Sequence, residues 1–176
     1  MERALVVYES MFGNTKQIAE AVAGGLSVDL VTDLVEVGEA SASFEDDLVL
    51  LVVGGPTHAF GLTRPRTRED AARQADGNVV SERTGLREWL AGIDAVRGGI
   101  GGASFDTRID KPRVPGSAAR GAEKRLRRKG FHIVVPAVSF YVAGTKGPLL
   151  DGEIERARSW GEQVALQVAG QPRLNA

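Results

Sequence analysis

The sequence predicts one α/β domain, an open parallel β-sheet with helices on both faces. Three short continuous apolar runs, at residues 4–8, 47–53 and 131–135, are typical of strands that are buried on both faces. Segments with helical periodicity alternate with these runs, which favours right-handed β-α-β units. A chain of 176 residues suits a single domain with a substantial core.

Two further strands and four helices are expected around these runs. Residues 34–37 indicate an edge strand, and the glycine-rich stretch 98–105 stands where another strand belongs. Apolar side chains at helical spacing predict helices that begin near Asn14, Leu86, Ser117 and Ile154. Asn14 is expected to cap the first helix, with Gln17 three residues later as in a capping box. Trp89 and Trp160 lie on helical stripes and are expected in the core.

Residues 62–83 form the irregular part of this scheme. They are polar, rich in arginine and longer than a usual connection, which is typical of functional or disordered loops. A short helix is expected within them at 68–75. The single domain is expected to span residues 1–170, and residues 171–176 are expected to form a frayed tail.

The composition excludes several classes of site. The chain has no cysteine, which rules out disulfides, thiolate metal sites and a cysteine nucleophile, and which suits a reducing cytoplasm. The only two histidines are His58 and His132, so no metal site is expected. No apolar run is long enough to span a bilayer, and the N-terminus lacks a signal-peptide layout. A cytoplasmic protein without membrane contact is therefore expected.

The net charge is −1, but the charges are unevenly distributed. Basic side chains concentrate in two stretches, Arg64, Arg66, Arg68 and Arg73, then Arg120, Lys124, Arg125, Arg127, Arg128 and Lys129. The ordinary interpretation is solvated loop and helix faces, and the alternative is a docking face for an acidic partner. Nucleic acid is not expected as a partner, because no aromatic residues interleave with these bases.

A polar loop joins the first predicted strand to the first helix. It supplies the hydroxyls of Ser10 and Thr15, the amide of Asn14 and a glycine, Gly13, that permits a tight turn. Ligands of open α/β sheets bind beyond the carboxyl ends of the strands, and a helix N-terminus attracts anions. Since the loop contains no lysine or arginine, a phosphate here would be held by neutral donors. The alternative is an ordinary helix cap.

The loop differs from the common nucleotide-binding motifs. No Gly-Lys-Ser/Thr follows it, so it is not a P-loop. Gly99 and Gly101 imitate the start of a Gly-x-Gly-x-x-Gly fingerprint, but Ser104 occupies the place of the third glycine.

The loop Ser10-x-Phe12-Gly13-Asn14-Thr15 resembles the FMN phosphate loop of the flavodoxin family. Residues 54–61 and 105–108 stand where that family places its two flavin-ring loops, and residues 140–149 look like the ending of small bacterial flavodoxin-domain proteins. The resemblance covers nearly the whole chain. It implies an α/β, flavodoxin-like, doubly wound five-stranded parallel sheet in the order 2-1-3-4-5.

The resemblance also implies FMN as the cofactor and assigns its contacts. The phosphate loop would comprise Ser10, Met11, Phe12, Gly13, Asn14 and Thr15. The ring loops would comprise Pro56, Thr57, His58, Phe60 and Gly61, and then Phe105, Asp106 and Arg108. No catalytic residue is assigned.

Individual roles at the flavin ring stay open. Phe60, Phe105 or Tyr141 could offer an apolar face to the ring, although each could equally belong to the core. His58 could donate a hydrogen bond or deliver a proton, or be an ordinary loop histidine. A carboxylate at position 106 would lower the reduction potential if it lay near the ring, and Arg108 would raise it.

Three functions agree with these observations. The first is an FMN-binding redox protein that passes electrons between a reductase and an acceptor protein. The second is an FMN-dependent NAD(P)H:quinone-type reductase, with residues 62–83 as a lid and Arg64 or Arg66 on a nicotinamide donor. The third is a flavin-free interaction module. The near-neutral charge and the absence of Trp or Tyr in the ring loops distinguish this chain from the acidic electron carriers of the family.

Overall fold

The computed structural model describes residues 1–170 and contains a parallel sheet between two helical layers. Its strands are β1 Arg3–Tyr8, β2 Val31–Glu36, β3 Leu48–Pro56, β4 Gly101–Ile109, β5 His132–Ile133 and β6 Val138–Val142. Its helices are α1 Asn14–Leu26, α2 Pro65–Gln74, α3 Leu86–Gly92, α4 Ala118–Arg128 and α5 Glu153–Ala169. The tail predicted at 171–176 lies outside the described residues.

The strand order is β2-β1-β3-β4-β5, with β6 also paired to β4, and all these pairings are parallel. The predicted order 2-1-3-4-5 is thus confirmed. The fifth position is shared by two short strands, because β5 pairs with the start of β4 and β6 with its end. The run predicted as one strand at 131–135 therefore contributes only two residues, and β6 was not predicted.

Each face of the sheet carries its own apolar core. On one face, α1 and α5 pack through a cluster that includes Ile18, Val22 and Trp160. On the other face, α3 and α4 pack through a cluster that includes Trp89 and Leu126. Both tryptophans are buried, as expected. None of the helices within residues 1–170 is long and apolar enough to cross a membrane.

The start of α1 differs from the prediction. The residue that precedes it, Gly13, has φ +94°, and no side chain caps the helix. The amide of Asn14 instead lies against Gly147, where a Cβ would come within 2.6 Å of its Oδ1. The predicted capping box with Gln17 is therefore wrong.

The helix predicted at 68–75 is present but begins earlier, as α2. Pro65 occupies its first turn, where a fixed φ and a missing N–H are tolerated. The Thr67 hydroxyl accepts a hydrogen bond from the backbone N of Arg64 at 2.9 Å, which closes the turn.

Helices α1 and α5 approach closely through two glycines. A Cβ at Gly25 would stand 2.1 Å from the backbone oxygen of Arg158, and one at Gly161 would stand 2.4 Å from that of Val22. Neither neighbour can rotate away, because both are backbone atoms. This contact holds the C-terminal end of α1 against α5.

Two adjacent glycines of α1 provide a matched test. Gly25→Ala should lower the free energy of unfolding by about 1–3 kcal/mol, since the added methyl overpacks a backbone contact. Gly24→Ala meets only the flexible Arg158 guanidinium at 3.5 Å. It should be neutral or stabilise by up to about 1 kcal/mol through helix propensity. Urea unfolding of both variants measures the difference, and equal effects would contradict the packing described.

Candidate functional site

An open cleft lies at the carboxyl ends of β1, β3 and β4. This is the edge at which ligands of open α/β sheets bind. Its lining residues are Ser10, Met11, Phe12, Asn14, Thr15, Pro56, Thr57, His58, Thr107, Arg108, Ile109, Val142 and Thr145. The fold therefore brings together most of the predicted phosphate loop with parts of both predicted ring loops.

The loop at residues 10–15 presents donors to one end of this cleft. The Ser10 hydroxyl accepts a hydrogen bond from the backbone N of Gly13 at 3.1 Å, which leaves its own O–H free to donate. The first backbone hydrogen bond of α1 runs from Gln17 to Gly13, at 3.1 Å. The N–H groups of Asn14, Thr15 and Lys16 precede that bond and are the donors that a helix N-terminus leaves without intrahelical partners.

Helices α3, α4 and α5 have acidic side chains at their positive ends. The first backbone N–H of α3, at Leu86, donates to the buried Glu9 carboxylate at 2.6 Å. In α4, the N–H of Ala119 donates to Asp106 at 3.0 Å. Helix α5 has Glu153 and Glu155 in its first turn. In contrast, α1 has neither an acidic first turn nor a side-chain cap, so its positive end is open to an external anion.

The end of the segment 62–83 supports the loop at residues 10–15 through hydrogen bonds. The Ser81 hydroxyl accepts from the backbone N of Ser10 at 2.9 Å, and the Ser81 N–H donates to the Ser10 carbonyl at 2.8 Å. The N–H of Val80 donates to the Met11 carbonyl at 3.0 Å. No local sequence pattern signals this support, because it joins positions far apart in the chain.

Glu9 connects this loop to the start of the same segment. Its buried carboxylate accepts from the Thr63 hydroxyl at 2.6 Å as well as from Leu86. Arg68 donates to Thr63 at 3.0 Å and pairs with Glu88 at 3.0 Å. Burial raises the pKa of Glu9, and its hydrogen bonds offset only part of that effect. Arg68 is thus part of an internal network rather than a solvated face.

The loop after β3 is a closed turn. The backbone groups of His58 and Gly61 bond each other at 2.9 and 3.1 Å, while Ala59 and Phe60 adopt φ of +44° and +74°. Phe60 is 61% exposed, and neither it nor Gly61 lines the cleft. His58 does line it. Burial and the positive charge of Arg68 lower the pKa of His58, so its imidazole is neutral at neutral pH.

Phe105 does not reach the cleft. It is fully buried between Phe140 and Trp160, with ring centroids 6.1 and 6.2 Å away. Its ring fills the space left by Gly54, where a Cβ would stand 2.0 Å from it. The expectation that Phe105 flanks a flavin ring is therefore corrected to a core role. Tyr141 also lies outside the cleft lining, with the Arg113 guanidinium 5.4 Å from its ring centroid.

Asp106 points to the opposite face of the sheet. Its carboxylate accepts from Thr57 and Ala119 at 3.0 Å each and from Ser117, so it orders the start of α4. Its predicted place beside the ring is corrected accordingly. Strand alternation explains the outcome, since Phe105 and Thr107 share one face of β4 and Asp106 the other. The sequence did not show this alternation, because β4 is buried on both faces and its residues do not alternate between apolar and polar.

The structure adds residues that were not predicted. Thr107 lines the cleft and shares a hydrogen bond of 2.7 Å with the hydroxyl of Thr15. Ile109, Val142 and Thr145 extend the wall. Arg108, which was predicted, is the lining residue with a formal charge, and its guanidinium also donates to the Val114 carbonyl. Within residues 1–170, no cluster of side chains suits a metal ion.

The burial of Glu9 predicts a specific dependence of stability on pH. Its folded pKa lies above the ordinary value of 4.5, so the unfolded chain loses this proton first as pH rises. Wild-type stability should therefore fall relative to Glu9→Gln above about pH 4.5. The slope should approach about 1.4 kcal/mol per pH unit between the unfolded and folded pKa values. Urea unfolding of both proteins at a series of pH values measures the difference.

Glu69→Gln removes an exposed carboxylate from α2 and serves as the control for the loss of one charge. The measured quantity is the free energy of unfolding of wild type minus that of Glu9→Gln. If this difference stays constant or grows as pH rises, the effect assigned to the burial of Glu9 is contradicted.

This architecture is similar to that of several solved structures. Bacillus cereus flavodoxin 1 matches with 17% identity, a TM-score of 0.67, and coverage of 97% of this chain and 100% of that one. A flavodoxin from the domain Archaea matches with 19% identity, a TM-score of 0.63, and coverage of 95% and 99%. Rubredoxin oxygen:oxidoreductase from Desulfovibrio gigas matches with 14% identity and a TM-score of 0.60; 96% of this chain aligns with 36% of that one. No family model and no curated protein matches the chain. At these identities the likeness concerns the fold, and the chain has the flavodoxin-like fold that its first loop predicted.

Proposed function

We propose that this protein binds FMN non-covalently and passes electrons between a reductase and an acceptor protein. The observation that carries the proposal is the uncapped N-terminus of α1, which faces an open cleft at the carboxyl edge of a flavodoxin-like sheet. Solved flavodoxins share this fold over their whole length.

The donors at residues 10–15 fit a phosphate group. The candidate donors are the backbone N–H groups at the start of α1, the Ser10 hydroxyl and the Asn14 amide, and Ser10, Asn14 and Thr15 all line the cleft. A Cβ at Gly13 would meet no atom within 4 Å, so the start of α1 is not packed against other protein atoms at this position. A dianion would gain charge-assisted hydrogen bonds there, which are about twice as strong as neutral ones.

The remaining wall fits a flat, partly apolar group. Met11, Phe12, Pro56, Ile109 and Val142 contribute apolar surface. Phe12 lines the cleft and would take the aromatic role that the sequence analysis considered for Phe60, Phe105 or Tyr141. When bound, FMN supplies reversible electron transfer, which no side chain of this protein offers.

The charged and titratable groups would act on the cofactor from fixed positions. Arg108 brings a positive charge to the cleft and favours added negative charge there. His58 is neutral and can exchange a hydrogen bond without adding charge. The Asp106 carboxylate faces α4, so it does not oppose Arg108 inside the cleft.

The two alternative functions have less support. Residues 62–83 are attached at both ends, through Thr63 to Glu9 and through Ser81 to Ser10, which disfavours a mobile substrate lid. The cleft is not filled by the chain's own side chains, which disfavours a module that has lost its cofactor. We place the carrier in the cytoplasm, because a chain without cysteine suits a reducing compartment.

The visible spectrum tests cofactor binding directly. Purified protein should be yellow, or should become so when titrated with FMN, with quenching of flavin fluorescence. A protein that stays colourless and leaves the fluorescence of added FMN unchanged would refute the proposal. Steady NAD(P)H oxidation by the loaded protein alone, with a quinone as acceptor, would instead establish the reductase.

A pair of neighbouring variants tests the phosphate position. Asn14→Ala should weaken FMN binding by about 1–3 kcal/mol, the cost of losing a hydrogen bond to a charged group. That corresponds to about a 5- to 150-fold rise in Kd. Gln17→Ala removes an exposed amide on the next turn and should leave the Kd unchanged. Fluorescence titration measures both constants, and equal Kd values would place the phosphate elsewhere.

A further inference from the structure

Three arginines lie at the loop of residues 62–64, which follows the turn at residues 58–61. Arg87 of α3 donates from Nη2 to the Leu62 carbonyl at 2.7 Å and from Nε to the Thr63 carbonyl at 3.0 Å. Its guanidinium is therefore held flat against this loop. Arg64 is the next residue along the chain and is exposed.

A third arginine reaches the same place from α4. Arg125 donates from Nη1 to the Gly121 carbonyl at 3.0 Å. A Cβ at Gly121 would stand 3.6 Å from both that nitrogen and Leu62 Cδ1, so Arg125 and Arg87 lie close to the same leucine. Burial, then the positive charges of Arg125 and Arg64, lower the pKa of Arg87. We call Arg64, Arg87 and Arg125 the arginine patch.

The patch has few internal counterions, although the negative charge of Glu88 acts on Arg87. Glu88 is the nearby acid, and it is bound to Arg68 through two hydrogen bonds of 3.0 and 3.1 Å. Among residues 1–170, the guanidinium groups of the patch form no ion pair within 4.0 Å. Like charges held together in this way cost folding free energy, and a partner of opposite charge relieves that cost.

The patch adjoins the cleft through the turn at residues 58–61. Arg87 Nη2 is 4.0 Å from the Cβ position of Gly61, and Gly61 is bonded to His58, which lines the cleft. The tip of this turn is Phe60, a large apolar side chain that is 61% exposed. Exposed aromatic residues beside arginines are typical of the centres of protein interfaces.

We propose that the arginine patch and Phe60 form the docking surface for an acidic protein that carries a one-electron redox centre. This proposal rests on the proposed function, because the electron passes directly between the cofactor in the cleft and the partner's centre, with no bond made or broken. The overall net charge of −1 would not attract such a partner, so the attraction is local.

Binding of an acidic peptide tests the surface without any cofactor. Uniformly ¹⁵N-labelled protein is titrated with oligoglutamate, and with oligolysine as the opposite-charge control. Amide shifts should concentrate at residues 60–64, 87 and 121–125 with oligoglutamate and be absent there with oligolysine. Shifts spread over the whole surface, or none, would overturn the proposal. Shifts at these residues with NADPH but not with oligoglutamate would assign the patch to a dinucleotide instead.

Electron transfer from the reduced, FMN-loaded protein tests whether the arginine patch attracts negatively charged electron acceptors. Oxidation by ferricyanide, an anion, should slow as salt is added, whereas oxidation by hexaammineruthenium(III), a cation, should speed up. Arg125→Glu should cut the low-salt ferricyanide rate about tenfold, the lower end of electrostatic steering effects. Arg64→Glu should act in the same direction. Salt effects of the opposite sign would refute the patch as the site of electron exit.

Arg97→Glu provides the matched control. It makes the same change in charge at an exposed position before β4, at the opposite edge of the sheet. It should leave both the peptide shifts and the salt dependence unchanged. An effect equal to that of Arg125→Glu would show that net charge, and not the arginine patch, causes the change. Failure of FMN to bind refutes the proposed function alone, since the peptide titration still decides the docking surface.

Discussion

The arrangement of the site depends on one buried carboxylate. Glu9 follows β1 inside the protein, and it accepts hydrogen bonds from Thr63 and from the first N–H of α3, at Leu86. Three chain segments that are distant in sequence are thereby joined at the base of the loop at residues 10–15. Burial makes the ionised carboxylate costly, and the hydrogen bonds from Thr63 and Leu86 offset part of that cost while they hold the segments together. The loop at 10–15 therefore starts from a rigid base.

Buried carboxylates that bind helix N-termini also determine the electrostatic character of the cleft. Glu9 accepts a hydrogen bond from the N-terminus of α3, and Asp106 accepts one from the N-terminus of α4. These two acids are thus bound to the protein's own helix N-termini instead of facing the cleft. The N-terminus of α1 is the exception, and the charged lining residue beside it is Arg108. A cleft built in this way favours anions without containing a cluster of cations.

Local sequence patterns predicted the alternation of strands and helices, both helical layers and the loop at 10–15, because each depends on neighbouring residues, whereas the strand order was implied by the resemblance to the flavodoxin family. Patterns failed where tertiary contacts decide the outcome. Phe105 and Asp106 lie on opposite faces of a strand that is buried on both sides, so no alternation of apolar and polar residues showed that Phe105 enters the core and that Asp106 binds the start of α4. The charge pattern assigned Arg68 to a solvated stretch because its partners, Thr63 and Glu88, are brought to it only by folding.

The turn at residues 58–61 links the cleft to the surface through backbone conformation. Ala59 and Phe60 both adopt positive φ, which costs a residue with a side chain about 1–2 kcal/mol. The paired hydrogen bonds between His58 and Gly61 hold the turn closed, and Arg87 holds the carbonyls that follow it. Arg87 therefore has two roles that cannot be separated, since it orders the loop and supplies charge to the patch. A partner that bound this guanidinium would therefore contact a side chain that also holds the two residues after the turn at 58–61.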